Sequence, residues 1–198
     1  MKPELITALL LTTMLAHGQD AFIYDQQATN IIEGSGFLNY QGQTIGQSFT
    51  PSFSAVGFVA LNLYDAGSLP IGATVYVNIR SDSFSGPILG SSMPVTMPNQ
   101  FFGITNFLFS TPLVVTPSVT YFFEPVVQSG DGWGSYVTDG SYPGGTAISQ
   151  GVPIPDRDLW FREGVVVPEP SSVGLILLGA GVLGLARWRR GRGRRSSL

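Results

Sequence analysis

Residues 56–65 read VGFVALNLYD, and residues 73–81 read ATVYVNIRS. In the first stretch Val59, Leu61 and Leu63 alternate with Ala60, Asn62 and Tyr64. In the second, Val75, Val77 and Ile79 alternate with Tyr76, Asn78 and Arg80. Side chains of a strand point to opposite faces in turn, so this period of two marks strands that bury one face. An amphipathic helix would repeat its apolar residues every three or four positions, and no stretch of the central chain does so over three turns. Outward from these two segments, FFGITNFLFS (101–110) and VTYFFEPVVQS (119–129) read as aromatic-rich strands. Pro125 has no N–H for a ladder, so it suggests an edge position or a bulge. AGSLPIG (66–72), SFSGP (83–87), MPNQ (97–100), TPSV (116–119) and SGDGWG (129–134) supply turns. TAISQG (146–151) and DLWFREGVVV (158–167) close the domain. Short strands at this spacing predict an all-β fold, an antiparallel sandwich of jelly-roll type, over residues 19–166.

Composition agrees. Gly (25) and Pro (14) are frequent among 198 residues and charged residues make up only 12%, the texture of a turn-rich β domain. Cysteine is absent, which excludes disulfides, thiolate nucleophiles and zinc–thiolate sites. From Gln19 to Val167 only Arg80, Arg157 and Arg162 are basic, against eleven carboxylates, a balance of about −8. Such a surface does not suit a phosphate backbone, so nucleic acid is not an expected partner.

The two ends differ from this middle. Lys2 and the apolar run Leu5 to Leu15 precede Ala16 and Gly18, small residues at the −3 and −1 positions of a cleavage site. This predicts a secretory signal peptide and signal helix over 1–18, cut after Gly18 by signal peptidase; the plainer alternative is a buried first helix. Cleavage would remove His17, the single histidine, and with it every Ser-His-Asp triad and imidazole ligand. At the other end, 171–186 is uncharged and mostly apolar. As a helix it would reach roughly 24 Å, slightly less than the hydrocarbon core of about 30 Å. Trp188 would extend it at the interface. Arg187, Arg189, Arg190, Arg192, Arg194 and Arg195 in the tail 187–198 would hold that end in the cytoplasm. A single transmembrane helix is therefore expected, with a permanent anchor as the alternative.

The order of parts at this end is specific. Pro168-Glu169-Pro170, one hydrophobic segment containing LGAGVLGLA and a terminal arginine cluster together resemble the PEP-CTERM sorting signal of Gram-negative bacteria. The resemblance implies processing near Pro168, Glu169 and Pro170 by an exosortase, a membrane protease-transpeptidase. It also implies passage through an inner-membrane intermediate to the cell surface or extracellular matrix. The prolines bias Val167 and Glu169 away from helix, keeping the cut site extended. The strand-and-turn order of the middle resembles the jelly-roll ectodomains of choice-of-anchor surface proteins, which look similar to carbohydrate-binding sandwiches.

Chemistry-bearing residues in the middle are few. Calcium is the metal the inventory favours. Asp156 and Asp158 are its candidate ligands, with Asp131 and Asp139 flanking a Gly-rich loop; ordinary turn aspartates are the alternative. Trp133, Tyr136 and Tyr142 form a candidate aromatic platform for a glycan, or else cap the core, while Trp160 reads as core. Glu124 and Glu163 are the strand carboxylates a glycosidase would need, without supporting spacing. GSG (34–36) and YPGGT (142–146) read as turn glycines without the context of a phosphate loop. The sequence thus predicts a non-enzymatic exported protein with a structural or adhesive sandwich and no cofactor. A module bound to exopolysaccharide is the alternative, and a secreted polysaccharide hydrolase a third.

Overall fold

The structure is a computed structural model and describes residues 21–39 and 44–167. The expected signal helix, the Pro-Glu-Pro motif, the transmembrane segment and the arginine tail lie outside the described residues.

Fourteen strands and no helix form among the described residues. They are β1 Ala21–Ala28, β2 Ile31–Asn39, β3 Ile45–Phe49, β4 Ala55–Asp65, β5 Ala73–Arg80, β6 Ile88–Ser91 and β7 Val95–Met97. They continue as β8 Phe102–Val114, β9 Tyr121–Gly130, β10 Trp133–Thr138, β11 Ala147–Ser149, β12 Val152–Ile154, β13 Asp158–Leu159 and β14 Phe161–Val167. The first sheet runs β1-β14-β4-β10-β13, with β8 along β4 and β2 along β10. The second runs β12-β11-β3-β9-β5-β6, with β7 also on β5. All recorded registers are antiparallel.

The alternation read in the sequence fixes which faces meet. Val59, Leu61 and Leu63 of β4 join Phe161 of β14 and Trp133 and Val137 of β10 in one buried cluster. Val75, Val77 and Ile79 of β5 and Phe123 of β9 meet them from the second sheet. Phe123 and Phe161 touch across the gap, ring centres 5.2 Å apart. The core is thus a two-sheet sandwich interior. Beyond the register shift at Val56–Phe58, the even-numbered residues of β4, including Asn62 and Tyr64, therefore face away from this interior.

Pro125 shows how local pairing accommodates a ring. β9 is an inner strand, flanked by β3 and β5, not an edge. Its ladder to β3 ends at Phe123, two residues before the proline. On the other side Pro125 stands opposite Val77. The Val77 N–H donates to Ser92 Oγ (2.9 Å) and its carbonyl accepts from Ser92 N–H (2.8 Å), so both turn away from the proline. Pro125 occupies the position where no N–H is required. A register shift follows along β5, between Thr74 and Val75.

GSG (34–36) is a correction. These residues lie inside β2 and not in a turn. A Cβ at Gly36, or at Gly134 on the neighbouring β10, would run into the Tyr64 ring. The Tyr64 ring therefore lies over the bare backbone of both strands, and glycine is required by close approach.

Candidate functional site

The outer face of the first sheet carries an aromatic group at one end. Tyr64, near the end of β4, pairs with Phe102, the first residue of β8. Tyr136 of β10 packs against both, at 4.9 Å from Tyr64 and edge-on at 5.6 Å from Phe102. Phe102 is 67% exposed. Beside it opens a cleft of about 510 Å³ between the loop after β4 and the turn before β8, lined by Tyr64, Ser68, Leu69, Asn99, Gln100 and Phe102 among others.

Two carboxylates build the walls of this cleft. Asp65 accepts from the Gly67 N–H (3.0 Å) with one oxygen and from the Gln100 N–H (2.7 Å) with the other, tying the two loops together. Asp131 accepts from the Leu69 N–H (2.6 Å) and the Gly132 N–H (2.7 Å). Gln100 is held at φ 61°, a left-handed conformation that costs a non-glycine residue roughly 1–2 kcal/mol. Phe101 packs on Trp133 beneath, rings 5.7 Å apart. The cleft is thus pre-shaped by backbone hydrogen bonds.

The sequence-expected platform is not formed as such. Trp133 is 2% exposed and Tyr142 7%, both in the core. Only Tyr136 reaches the aromatic face. Tyr142 spans the sandwich: its ring packs edge-on against Phe161 (5.2 Å) and its hydroxyl accepts from the Thr50 N–H (3.1 Å). Burial pushes that phenol up to about 12, against the lowering effect of the Thr50 N–H; nearby Glu163, Asp158 and Asp25 add to the rise. Tyr64 and Phe102 were missed as site residues. Their signal was present in the glycines of GSGF and WGSY, which make room for a ring, but the partner strand could not be read from the sequence.

Asp156 and Asp158 do not converge. Asp156 is exposed at φ 61°, whereas Asp158 is fully buried. The Asp158 carboxylate accepts from Gln47 Nε2 (2.8 Å) and the Tyr142 N–H (3.1 Å), while Gln47 Oε1 accepts from the Leu159 N–H (2.9 Å). This buried clamp joins β3 of one sheet to β13 of the other. Burial raises the Asp158 pKa, and the two hydrogen bonds oppose the rise. Asp131 is committed to Leu69 and Gly132, and Asp139 accepts from the Ser141 N–H (3.2 Å). Among the described residues no three His, Cys, Asp or Glu side chains gather as metal ligands.

Glu124 and Glu163 belong to different sheets and do not face across a common cleft. Glu124 is ion-paired: Arg80 Nε and Nη2 donate to its Oε2 at 3.0 and 2.8 Å. Glu163 is 0% exposed and pairs in register with Val59, so it points into the core. Neither of its oxygens meets a donor with hydrogen-bond geometry. Burial pushes its pKa up to about 8, and the negative charge of Asp25 adds to the shift. Asp25 itself is engaged by the N–H groups of Ser52 (2.7 Å) and Phe53 (2.8 Å).

β14 ends at Val167, immediately before Pro168. Residues 166–190 match the PEP-CTERM protein-sorting motif. The PEP-CTERM match begins within the last two residues of β14 and covers the Pro-Glu-Pro, the apolar segment and the first arginines. It implies an exported protein that passes through the membrane and is processed by an exosortase, a membrane protease, on the way to the cell surface. No curated protein matches the chain.

Proposed function

We propose that the chain is a non-catalytic surface or extracellular-matrix protein of a Gram-negative bacterium, whose β-sandwich is the displayed, structural or adhesive part. The observation that carries this reading is the PEP-CTERM motif directly abutting the last strand of a folded sandwich. Strands from β3 onward shuttle between the two sheets, which supports a jelly-roll ectodomain of choice-of-anchor type. The N-terminal 18 residues act as a signal peptide, and 171–186 holds the precursor in the inner membrane until cleavage near Pro168, Glu169 and Pro170. The six terminal arginines set the orientation.

Cell fractionation tests this reading. The exported form is expected at the surface or in the medium and to lack the residues after about Pro170. Replacing Pro168, Glu169 and Pro170 together by alanine should leave the precursor in the membrane fraction. An intact arginine tail on the surface form would refute the processing step.

The aromatic cleft favours a second reading, a module that holds exopolysaccharide without cleaving it.

A further inference from the structure

We infer that the cleft beside Phe102 is a binding site for a neutral saccharide, taking one or two pyranose units of a longer chain. The inference deepens the second reading above and rests on it.

Three features choose the ligand class. The first is the rings. Phe102 stands outward on β8 with two thirds of its surface in water, although buried aromatic area is among the most stabilising a fold can gain. Tyr136 packs edge-on against it and is itself packed on Tyr64, the residue opposite Phe102 in the β4–β8 register, so the ring is braced on one side while its surface stays open. The electron-rich face of an aromatic ring suits the weakly positive C–H face of a pyranose. The second is the rim. Asn99, Gln100 and Ser68 offer amide and hydroxyl groups, paired donors and acceptors of the kind vicinal sugar hydroxyls require.

The third feature is charge. Among the described residues no Lys or Arg lines the cleft and Asp65 is its single acid, with each carboxylate oxygen accepting a backbone N–H. A phosphate, nucleotide or uronate chain would find no cation there, and a metal ion would find one carboxylate, each of whose oxygens already accepts a backbone N–H. A neutral polyol remains. The volume of about 510 Å³ falls within the range of roughly 300–1,000 Å³ usual for small-ligand sites. The cleft is open, which allows a polymer to pass through and not only a chain end. Its walls are held by Asp65 and Asp131, so little ordering entropy is lost on binding.

The test is electrophoresis of the full chain, in a detergent without a sugar head group, through native gels cast with polysaccharide. A β-glucan, a galactomannan and a xylan supply neutral chains, and alginate an acidic one. Retardation is expected in at least one neutral gel. Phe102→Ala and Asn99→Ala should each weaken it about tenfold. Ile88→Ala, an exposed apolar residue of the second sheet, should leave it unchanged. Phe102 and Asn99 are both exposed, so their variants should melt within a few degrees of the parent. Lack of retardation in every neutral gel, stronger retardation in alginate, or equal binding by Phe102→Ala and the parent would overturn the site. Sorting is read separately by fractionation, so a protein that binds glycan but never reaches the surface would sink the export reading alone.

Discussion

Glu163 sits two residues after Phe161, on the same face of β14 and opposite Val59, with its carboxyl sealed in the sandwich interior. An ionised carboxylate there would be cut off from water and set beside the negative charge of Asp25, with the Gln26 backbone as the opposing influence, so burial wins and the group keeps its proton at neutral pH. The consequence for pH is signed. An unfolded glutamate releases its proton near pH 4.5, whereas folded Glu163 holds it to about pH 8. Between those values the native state binds more protons than the unfolded state. The contribution is therefore fully present below about pH 4.5 and is lost as pH rises through 8, at roughly 1.4 kcal/mol per pH unit. Buried Asp158 is shifted in the same direction, so the slope must be read as a difference between parent and variant. Glu163→Gln keeps the volume and removes the titration. Its urea midpoint should fall less than the parent's between pH 5 and 9, and should exceed the parent's at pH 9. Parallel curves for the two proteins would show that Glu163 does not titrate as a buried acid.

Strands and their partners show where sequence reading succeeds. The alternation in 56–65 and 73–81 places β4 and β5 and their buried faces, because period two is a property of one strand alone. What a strand lies beside is decided by residues far away. Pro125 reads as an edge residue or a bulge; β9 is central, and the proline fits because the β3 ladder stops at Phe123 and Val77 turns its amide toward Ser92, with a register shift farther along β5. GSG reads as a turn until Tyr64, 28 residues on, is found lying on Gly36. The candidate cleft was illegible for the same reason: Tyr64, Phe102 and Tyr136 meet only through the β4–β8 and β4–β10 pairings. Arg80 is the corresponding case among charges. It ties three elements, donating to Glu124 on β9 and, through Nη1, to the Gly86 carbonyl (2.8 Å) of the 81–87 turn. Both partners are mostly buried, with side chains 19% and 10% exposed. Removing one partner leaves the other charge stranded, so Arg80→Ala should cost about 3 kcal/mol by urea unfolding. Arg80→Lys should recover only part of this, because an ammonium cannot span Glu124 and Gly86 as the guanidinium fork does. Full recovery by lysine would mean that charge alone, without the fork, holds the turn.

Charge is partitioned along the chain as sharply as hydropathy. The sandwich region carries three arginines, while six of the ten basic residues follow position 186. The PEP-CTERM match, residues 166–190, joins the two and implies processing by an exosortase. If processing falls near Pro170 and the signal peptide is gone, residues 19–170 hold Arg80, Arg157 and Arg162 against twelve carboxylates, about −9 at neutral pH. The same chain with its tail holds six more arginines, about −3. The two forms thus differ by six charges, far more than any single modification produces. Isoelectric focusing in urea removes the effect of folded-state pKa shifts and compares the chains directly. The surface form should focus well below the membrane precursor, and the shift should vanish when Pro168, Glu169 and Pro170 are replaced by alanine. A surface form that focuses with the precursor would mean that the arginines travel with the sandwich. In the proposed precursor the arginines are the part drawn to the anionic cytoplasmic leaflet, while the acidic sandwich lies on the other side of the membrane. If the arginines are discarded as proposed, the topological hold and the electrostatic one go together, and the sandwich alone is left to make contacts at the surface.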